Sequence, residues 1–312
     1  MNVKNNRNKS YKKSSTEGIF SLKSLMSVLV VAAILIIGFF FGDNLTDDKE
    51  IGEVSYKDAD FCVSFIDVGQ GDCSLISCEG INILVDGGES SAGNKVIKYL
   101  KDFGVEKLDC YIGTHPHSDH IGSTDTILEN IPCDKVFTTY FSEFNIPTSK
   151  VYESFVDSVY ESGAEVIAVD AGDVYTFGNL TIEIFAPIVE SDDYNEMSIV
   201  FMARYKDMNV MFTGDTTVNV EKEMLENNFE LNADVIKLAH HGSTTSNSLE
   251  FLNAVSPEFA IISCGEDNSY GHPHKEVVDR LISNEIKYLR TDYEGTIVCY
   301  GDGYEYVVEA AA

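Results

Sequence analysis

Seven residues, Thr114-His115-Pro116-His117-Ser118-Asp119-His120, constrain this chain more than any other feature. Three imidazoles and one carboxylate fall within six positions, flanked by Gly113 and Ile121-Gly122. Imidazole and carboxylate together suit zinc, manganese or iron. So many ligands in so short a run cannot all reach one ion. His115 and His117, two apart, can point the same way from an extended loop. Asp119 and His120 must then point elsewhere, and the spacing predicts two adjacent metal ions. The chain has 7 histidines, and the other four form two tight groups, His240-His241 and His272-Pro273-His274. Both lie in Gly-containing loops after apolar, strand-like runs, where ligands and catalytic groups collect.

Two carboxylates belong to the same argument. Asp215 ends a strand-like run and has two oxygens with which to bridge a pair of ions. A histidine at the next strand end can complete the second ion. Asp86 ends an earlier strand-like run and can orient a ligand imidazole from behind.

Four segments divide the 312 residues. Residues 1–24 are polar and basic, with six Lys or Arg against the single acid Glu17. Residues 25–41 are apolar except for Ser27 and Gly38. Seventeen residues is the short end of a membrane span, for which about 20 is typical. The basic residues before it and Asp43, Asp47, Asp48 and Glu50 after it predict one transmembrane anchor, N-terminus inside and the bulk of the chain outside the cell membrane. A cleaved signal peptide, giving a secreted protein, is the rival reading, but no small-x-small site follows Phe39-Phe40-Phe41. Residues 42–58 are an acidic linker, and 59–312 form the folded domain.

Of the 22 basic and 51 acidic residues, 16 and 50 lie beyond residue 24. Such a surface repels polyanions at long range and carries no broad basic patch for nucleic acid. Cleavage of a phosphodiester stays open, because bound metal ions supply local positive charge. The seven cysteines contain no C-x-x-C and several sit in apolar runs, so they read as small buried hydrophobes. An odd count also argues against a disulfide framework.

From Phe61 the pattern alternates. Strands are expected at 61–67, 73–77, 81–86 and 107–112, with a turn at Gly69-Gln70-Gly71-Asp72, and helices at 94–103 and from Thr124. A helix over 149–163 follows, with strands near 165–169, 173–177 and 180–185. A hairpin joins 198–205 to 209–212. A helix at 219–227, strands at 234–238 and 259–263 with a helix between them, a helix from Pro273 to Asn284 and terminal strands complete one α/β domain of mixed sheets. A helix opening at Pro273 makes Tyr270, His272 and the first helix amides an anion site.

These motifs resemble the metallo-β-lactamase superfamily, whose signature is matched by His115-x-His117-x-Asp119-His120. Within it the chain is most similar to the hydrolase domain of ComEC/Rec2-type competence proteins. That similarity rests on Phe65-Ile-Asp-Val-Gly-Gln-Gly-Asp72, Leu84-Val-Asp-Gly-Gly88, Thr114 to Gly122, Thr213-Gly-Asp215, His240-His-Gly-Ser243, Tyr270-Gly-His-Pro-His274 and Arg290-Thr-Asp292. The resemblance implies an αββα sandwich with metals at one edge of the sheets. It implies two divalent ions, zinc or manganese: His115 and His117 on the first, Asp119 and His120 on the second, Asp215 between them. One of His240 and His241 joins the second ion; His241 is favoured, with His240 turned to the leaving or transferred group. The histidine that normally completes the first site is missing between His120 and Asp215, where Asn195-Glu-Met-Ser198 stands instead. Asn195 can then ligate weakly or contact substrate.

The expected activity is hydrolysis of a phosphodiester, DNA or a small phosphoester, by a water activated between two cations. Asp119 can align that water, and Tyr270 and His272 can hold a phosphate. The alternatives are hydrolysis of a lactam, lactone or thioester on the same fold, and a non-catalytic metal-binding surface module.

Overall fold

The computed structural model describes residues 55–311. The anchor expected at 25–41 lies outside the described residues. Among the described residues no helix is long and apolar enough to cross a membrane.

Two sheets lie face to face. The first runs β1 (Phe61–Phe65), β2 (Ser74–Cys78), β3 (Ile81–Val85), β4 (Cys110–Ile112), β5 (Lys135–Thr138) and β6 (Glu165–Ala168), extended on its other side by β14 (Ile297–Gly301) and β15 (Tyr306–Ala310). Its spatial order is β15-β14-β1-β2-β3-β4-β5-β6. The second contains β7 (Val174–Phe177), β8 (Leu180–Ala186), β9 (Val200–Tyr205), β10 (Met208–Phe212), β11 (Val235–Lys237), β12 (Phe259–Ile262) and β13 (Lys287–Arg290), in the order β13-β12-β11-β10-β9-β8-β7. Each sheet changes from antiparallel hairpins to parallel strands, at β3–β6 in the first and β10–β13 in the second. Hairpins need only a tight turn, whereas parallel neighbours need a crossover, which here carries helices to the outer faces.

The core between the sheets is built from alternate residues of each strand. Phe61, Val63 and Phe65 of β1 face Tyr205, Phe201 and Phe212 across it. Phe61 stacks on Tyr205 at 5.5 Å, Phe65 on Phe212 at 5.9 Å, and Phe201 on Phe212 at 4.7 Å. Each such fully buried ring stabilises the fold by about 1.5–3 kcal/mol.

Outside the first sheet pack α1 (Gly93–Phe103), α3 (Thr124–Asn130) and α4 (Lys150–Ser162), through Val96, Ile97, Leu100, Ile127, Leu128, Phe155 and Val159. Outside the second pack α5 (Val218–Glu226), α6 (Leu249–Val255) and α7 (Lys275–Ser283), through Val220, Met224, Phe251, Leu252, Val255, Val277 and Leu281. Short helices α2 (Ser118–Ile121) and α8 (Thr291–Glu294) lie in loops. Helix α4 illustrates the local logic. Ser149 caps its start by accepting from the Tyr152 N–H, and Gly163 ends it in the left-handed conformation.

Three details differ from the sequence pattern. The strand expected at 107–112 narrows to β4, with Leu108 keeping one isolated bridge to Cys133. Strand β5 leaves no sequence signal, since its apolar run is only Val136 and Phe137. The helix expected from Pro273 begins instead at Lys275. His274 is extended (φ −64°, ψ 140°) and its N–H donates to Gly242 O at 3.0 Å, so the chain turns into the helix only after it.

Candidate metal centre

The ends of parallel strands converge at one edge of the two sheets. Asp86 follows β3, the Thr114–His120 run follows β4, Asp215 follows β10, and His240-His241 follows β11. Clefts beyond the carboxyl ends of such strands are where ligands bind in open α/β sheets.

Within the run, His115 lies in the loop and His117 in extended backbone just before α2; Asp119 and His120 are inside that short helix. The helix turns the second pair away from the first, as the spacing requires. His115 Nε2 and His117 Nδ1 come within 3.0 Å of each other, and His115 Nε2 is 3.8 Å from Asp215 Oδ2. On the other side His120 Nε2 is 3.1 Å from Asp215 Oδ1, and His241 Nε2 is 3.2 Å from Asp119 Oδ2 and 3.7 Å from Asp215 Oδ2. Ligand atoms of His115, His117 and Asp215 form one group that could hold a metal; those of Asp119, His120, Asp215 and His241 form a second. Asp215 is common to both.

The donor atoms fit metal ions better than they fit one another. His120 Nε2 and Asp215 Oδ1 are buried and, though close, have no aligned hydrogen-bond partner. Leaving buried polar atoms unpaired costs about 1–3 kcal/mol each, so such atoms call for a ligand. Charge points the same way. Burial pushes the Asp215 carboxyl up, but His120 and His241 outweigh it and hold it well below the usual range. Burial likewise opposes ionisation of Asp119, and His241 and His120 overcome it. Burial pulls His120 down, yet Asp215 and Asp86 raise it well above 6.5. His241 is raised to about 9: burial is overcome by Asp215, Asp119 and Asp72. Burial with His120 beside it keeps His115 neutral.

Three supports hold the ligands in place. Asp86 accepts from the Thr114 N–H at 2.8 Å and the Thr114 hydroxyl at 2.7 Å, and lies 2.8 Å from His120 Nδ1. The Asp215 N–H donates to Ser198 Oγ at 3.0 Å. His241 Nδ1 lies 2.9 Å from Ser263 O, which accepts its N–H and leaves Nε2 as the nitrogen that faces Asp119. His240 and His241 both have left-handed backbone (φ 50° and 54°), which histidine visits more readily than most residues. Asn247 pins this loop: it accepts from the Ala239 N–H at 3.0 Å and donates to Ala239 O and Ser243 O.

A cavity of about 310 Å³ opens over the cluster, lined among others by His117, Asp119, Asn195, Asp215, His240, His241, Tyr270 and His272. Sequence reasoning had singled out all eight. Asn195 Oδ1 is buried without a partner. Tyr270 stacks on His272 at 5.6 Å, and His272 is pulled down to about 4 by burial and by His241 and His240. His274 and the first residues of α7 do not line the cavity, so the expected anion site loses its helix amides and keeps only Tyr270 and His272.

Two lining residues, Gln70 and Ser118, were not recognised from sequence, although both sit inside quoted motifs. Gln70 belongs to the Gly69–Asp72 turn, which docks on the ligand helix. A Cβ at Gly71 would lie 2.3 Å from Asp119 O, so only glycine permits the approach.

Two packed sheets with helices outside, and a His/Asp cluster at the strand ends that could hold metal around one shared carboxylate, define the class of metal-dependent hydrolase folds. Residues 66–266 match the metallo-beta-lactamase superfamily, and the chain belongs to that family. It is 32% identical over 256 residues to ComE operon protein 3 of Bacillus subtilis strain 168, covering 75% of this chain and 32% of that protein. It is 29% identical over 254 residues to competence protein ComA of Neisseria gonorrhoeae, covering 79% and 34%. The chain thus spans about a third of these competence-protein relatives. Igni18, a metallo hydrolase of Ignicoccus hospitalis KIN4/I, shares the fold with a TM-score of 0.52 at 17% identity, over 76% of this chain and 98% of that one.

Proposed function

We propose that this chain is a membrane-anchored, metal-dependent phosphodiesterase. His115 and His117 would hold one ion, Asp119, His120 and His241 the other, and Asp215 both. The donor set contains no thiolate, although the chain has seven cysteines, and its mix of imidazole and carboxylate suits zinc or manganese. Asn195 Oδ1 is the available oxygen on the first side, in place of a third histidine.

The observation that carries the reading is the charge of the cavity. No lysine or arginine lines it. Its only strong positive charge would be the ions, partly cancelled by Asp119 and Asp215. With a metal-activated hydroxide also counted, about one positive charge would remain, which suits a singly charged diester better than a doubly charged monoester. Two divalent ions, when bound, would supply an activated water and neutralise charge on the attacked group. Asp119 would orient that water. His240, more exposed than His241, would contact the leaving or transferred group. Tyr270 and His272 would hold the phosphoryl oxygens or the group attached to them.

The competence-protein relatives favour DNA as substrate; the acidic surface and small cavity favour a small phosphodiester. Residues 25–41 would tether the domain to the cell membrane. The test is a screen of the metal-loaded protein on bis-p-nitrophenyl phosphate, single-stranded DNA and nitrocefin. Diester turnover that Asp215→Ala lowers by about a thousandfold, equivalent to several kcal/mol of lost charge stabilisation, is expected. Nitrocefin turnover without diester turnover would move the activity to lactam hydrolysis.

A further inference from the structure

Lys237 ends β11, three residues before His240, and is 2% exposed. Lysine is almost never so buried unless paired. Its ammonium contacts Asp72 Oδ2, with Gly214 O at 3.4 Å. Asp72 comes from the turn between β1 and β2, so the pair ties the first sheet to the second behind the cluster.

Asp72 touches three of the residues assigned above as ligands. Its N–H donates to Asp119 O at 3.0 Å; Oδ1 is 3.5 Å from His241 Nδ1, and Oδ2 is 3.7 Å from His120 Nδ1. Neither Asp72 nor Lys237 lines the cavity, so neither reaches substrate. Asp72, Asp86 and His120 also bring three donor atoms within 4.8 Å of one another, all buried, on the Nδ1 side of the His120 ring. That is a metal-like nest directly behind the ligand face. The cation against it is the Lys237 ammonium.

We propose that Lys237 is a built-in cation that excludes a third metal ion from the Asp72–Asp86–His120 nest. By occupying Asp72 it leaves His120 Nδ1 to Asp86, and so keeps His120 Nε2 facing the shared Asp215. Lys237 and Asp72 are positioning residues. The inference rests on the two-ion reading of the front cluster.

The experiment is cobalt(II) titration of the full-length, detergent-solubilised protein, read by metal content and visible absorption, with folding followed by circular dichroism. Wild type is expected to take up two ions. K237M should take up one more, with a changed absorption spectrum and a fall of at least tenfold in kcat for bis-p-nitrophenyl phosphate at similar KM. K237R, which keeps the charge, and D72N/K237M, which removes the carboxylate the ion would use, should both return to the wild-type count. Should K237M fold only when cobalt is present, the ion has taken the place of the lysine. A K237M protein with wild-type cobalt content, or one unfolded even with cobalt, overturns the proposal. So does a third ion in the double variant. Wild type that takes up no cobalt removes the metal reading and this one with it; wild-type uptake with unchanged K237M removes this one alone.

Discussion

The carboxylate of Asp86 lies 2.8 Å from His120 Nδ1 while anchored through both oxygens to Thr114. One buried acid therefore sets the tautomer and tilt of a ring whose other nitrogen faces Asp215 at 3.1 Å. Asp86→Asn keeps the shape and removes the charge. Loss of such an outer partner typically costs 10- to 100-fold in metal affinity. Zinc affinity by chelator competition should fall by about that factor; an unchanged value would mean His120 is oriented by packing alone.

Metal uptake should release protons. In the metal-free protein His241 is raised to about 9 and His120 well above 6.5, so both carry protons near neutral pH. An ion needs their lone pairs. Affinity should therefore climb as pH rises from 6 to 9, and calorimetry in buffers of different ionisation enthalpy should register proton release. The sign for stability is opposite. Raised histidines contribute stability that is fully present below about 6.5 and lost as pH rises through the folded value. Metal-free protein should lose melting temperature between those limits, and a flat melting profile would contradict the charged cluster.

Asn247 is fully buried and makes three hydrogen bonds across the loop that holds His240 and His241 in left-handed backbone. Asn247→Ala leaves buried backbone groups unpaired and should destabilise the fold by about 2–3 kcal/mol. For a domain of this size that is a drop of about 4–12 °C in melting temperature. The same variant should bind metal more weakly, because the left-handed pair relaxes. Wild-type melting would show that the loop is held by other contacts.

All seven cysteines are buried and unpaired. Burial pushes the thiols of Cys62, Cys78 and Cys264 to about 12 and that of Cys133 to about 11, with Cys73, Cys110 and Cys299 also well above the usual 9. Thiolate is the reactive form, so a thiol reagent at pH 8 should modify none in the native protein and all seven after unfolding. Rapid reaction of any one under native conditions would contradict its burial.

Much of this was legible in the sequence. Apart from β5, the order of the main strands and helices followed from apolar periodicity. The front cluster followed from the crowding of His115, His117, Asp119 and His120, because residue spacing within one segment dictates which side chains can share a side. Strand ends marked Asp86, Asp215 and the His240-His241 pair. What sequence left open depends on contacts between distant segments. His241 rather than His240 faces Asp119 because two successive left-handed residues bury one ring and leave the other more exposed. The start of α7 depends on a hydrogen bond from His274 to Gly242. The Asp72–Lys237 pair was invisible: each residue reads as ordinary turn or strand-end polarity, and only the packing of one sheet on the other removes both from water and brings them together. Local spacing is a property of the chain, whereas desolvation and charge pairing exist only once the two sheets have closed.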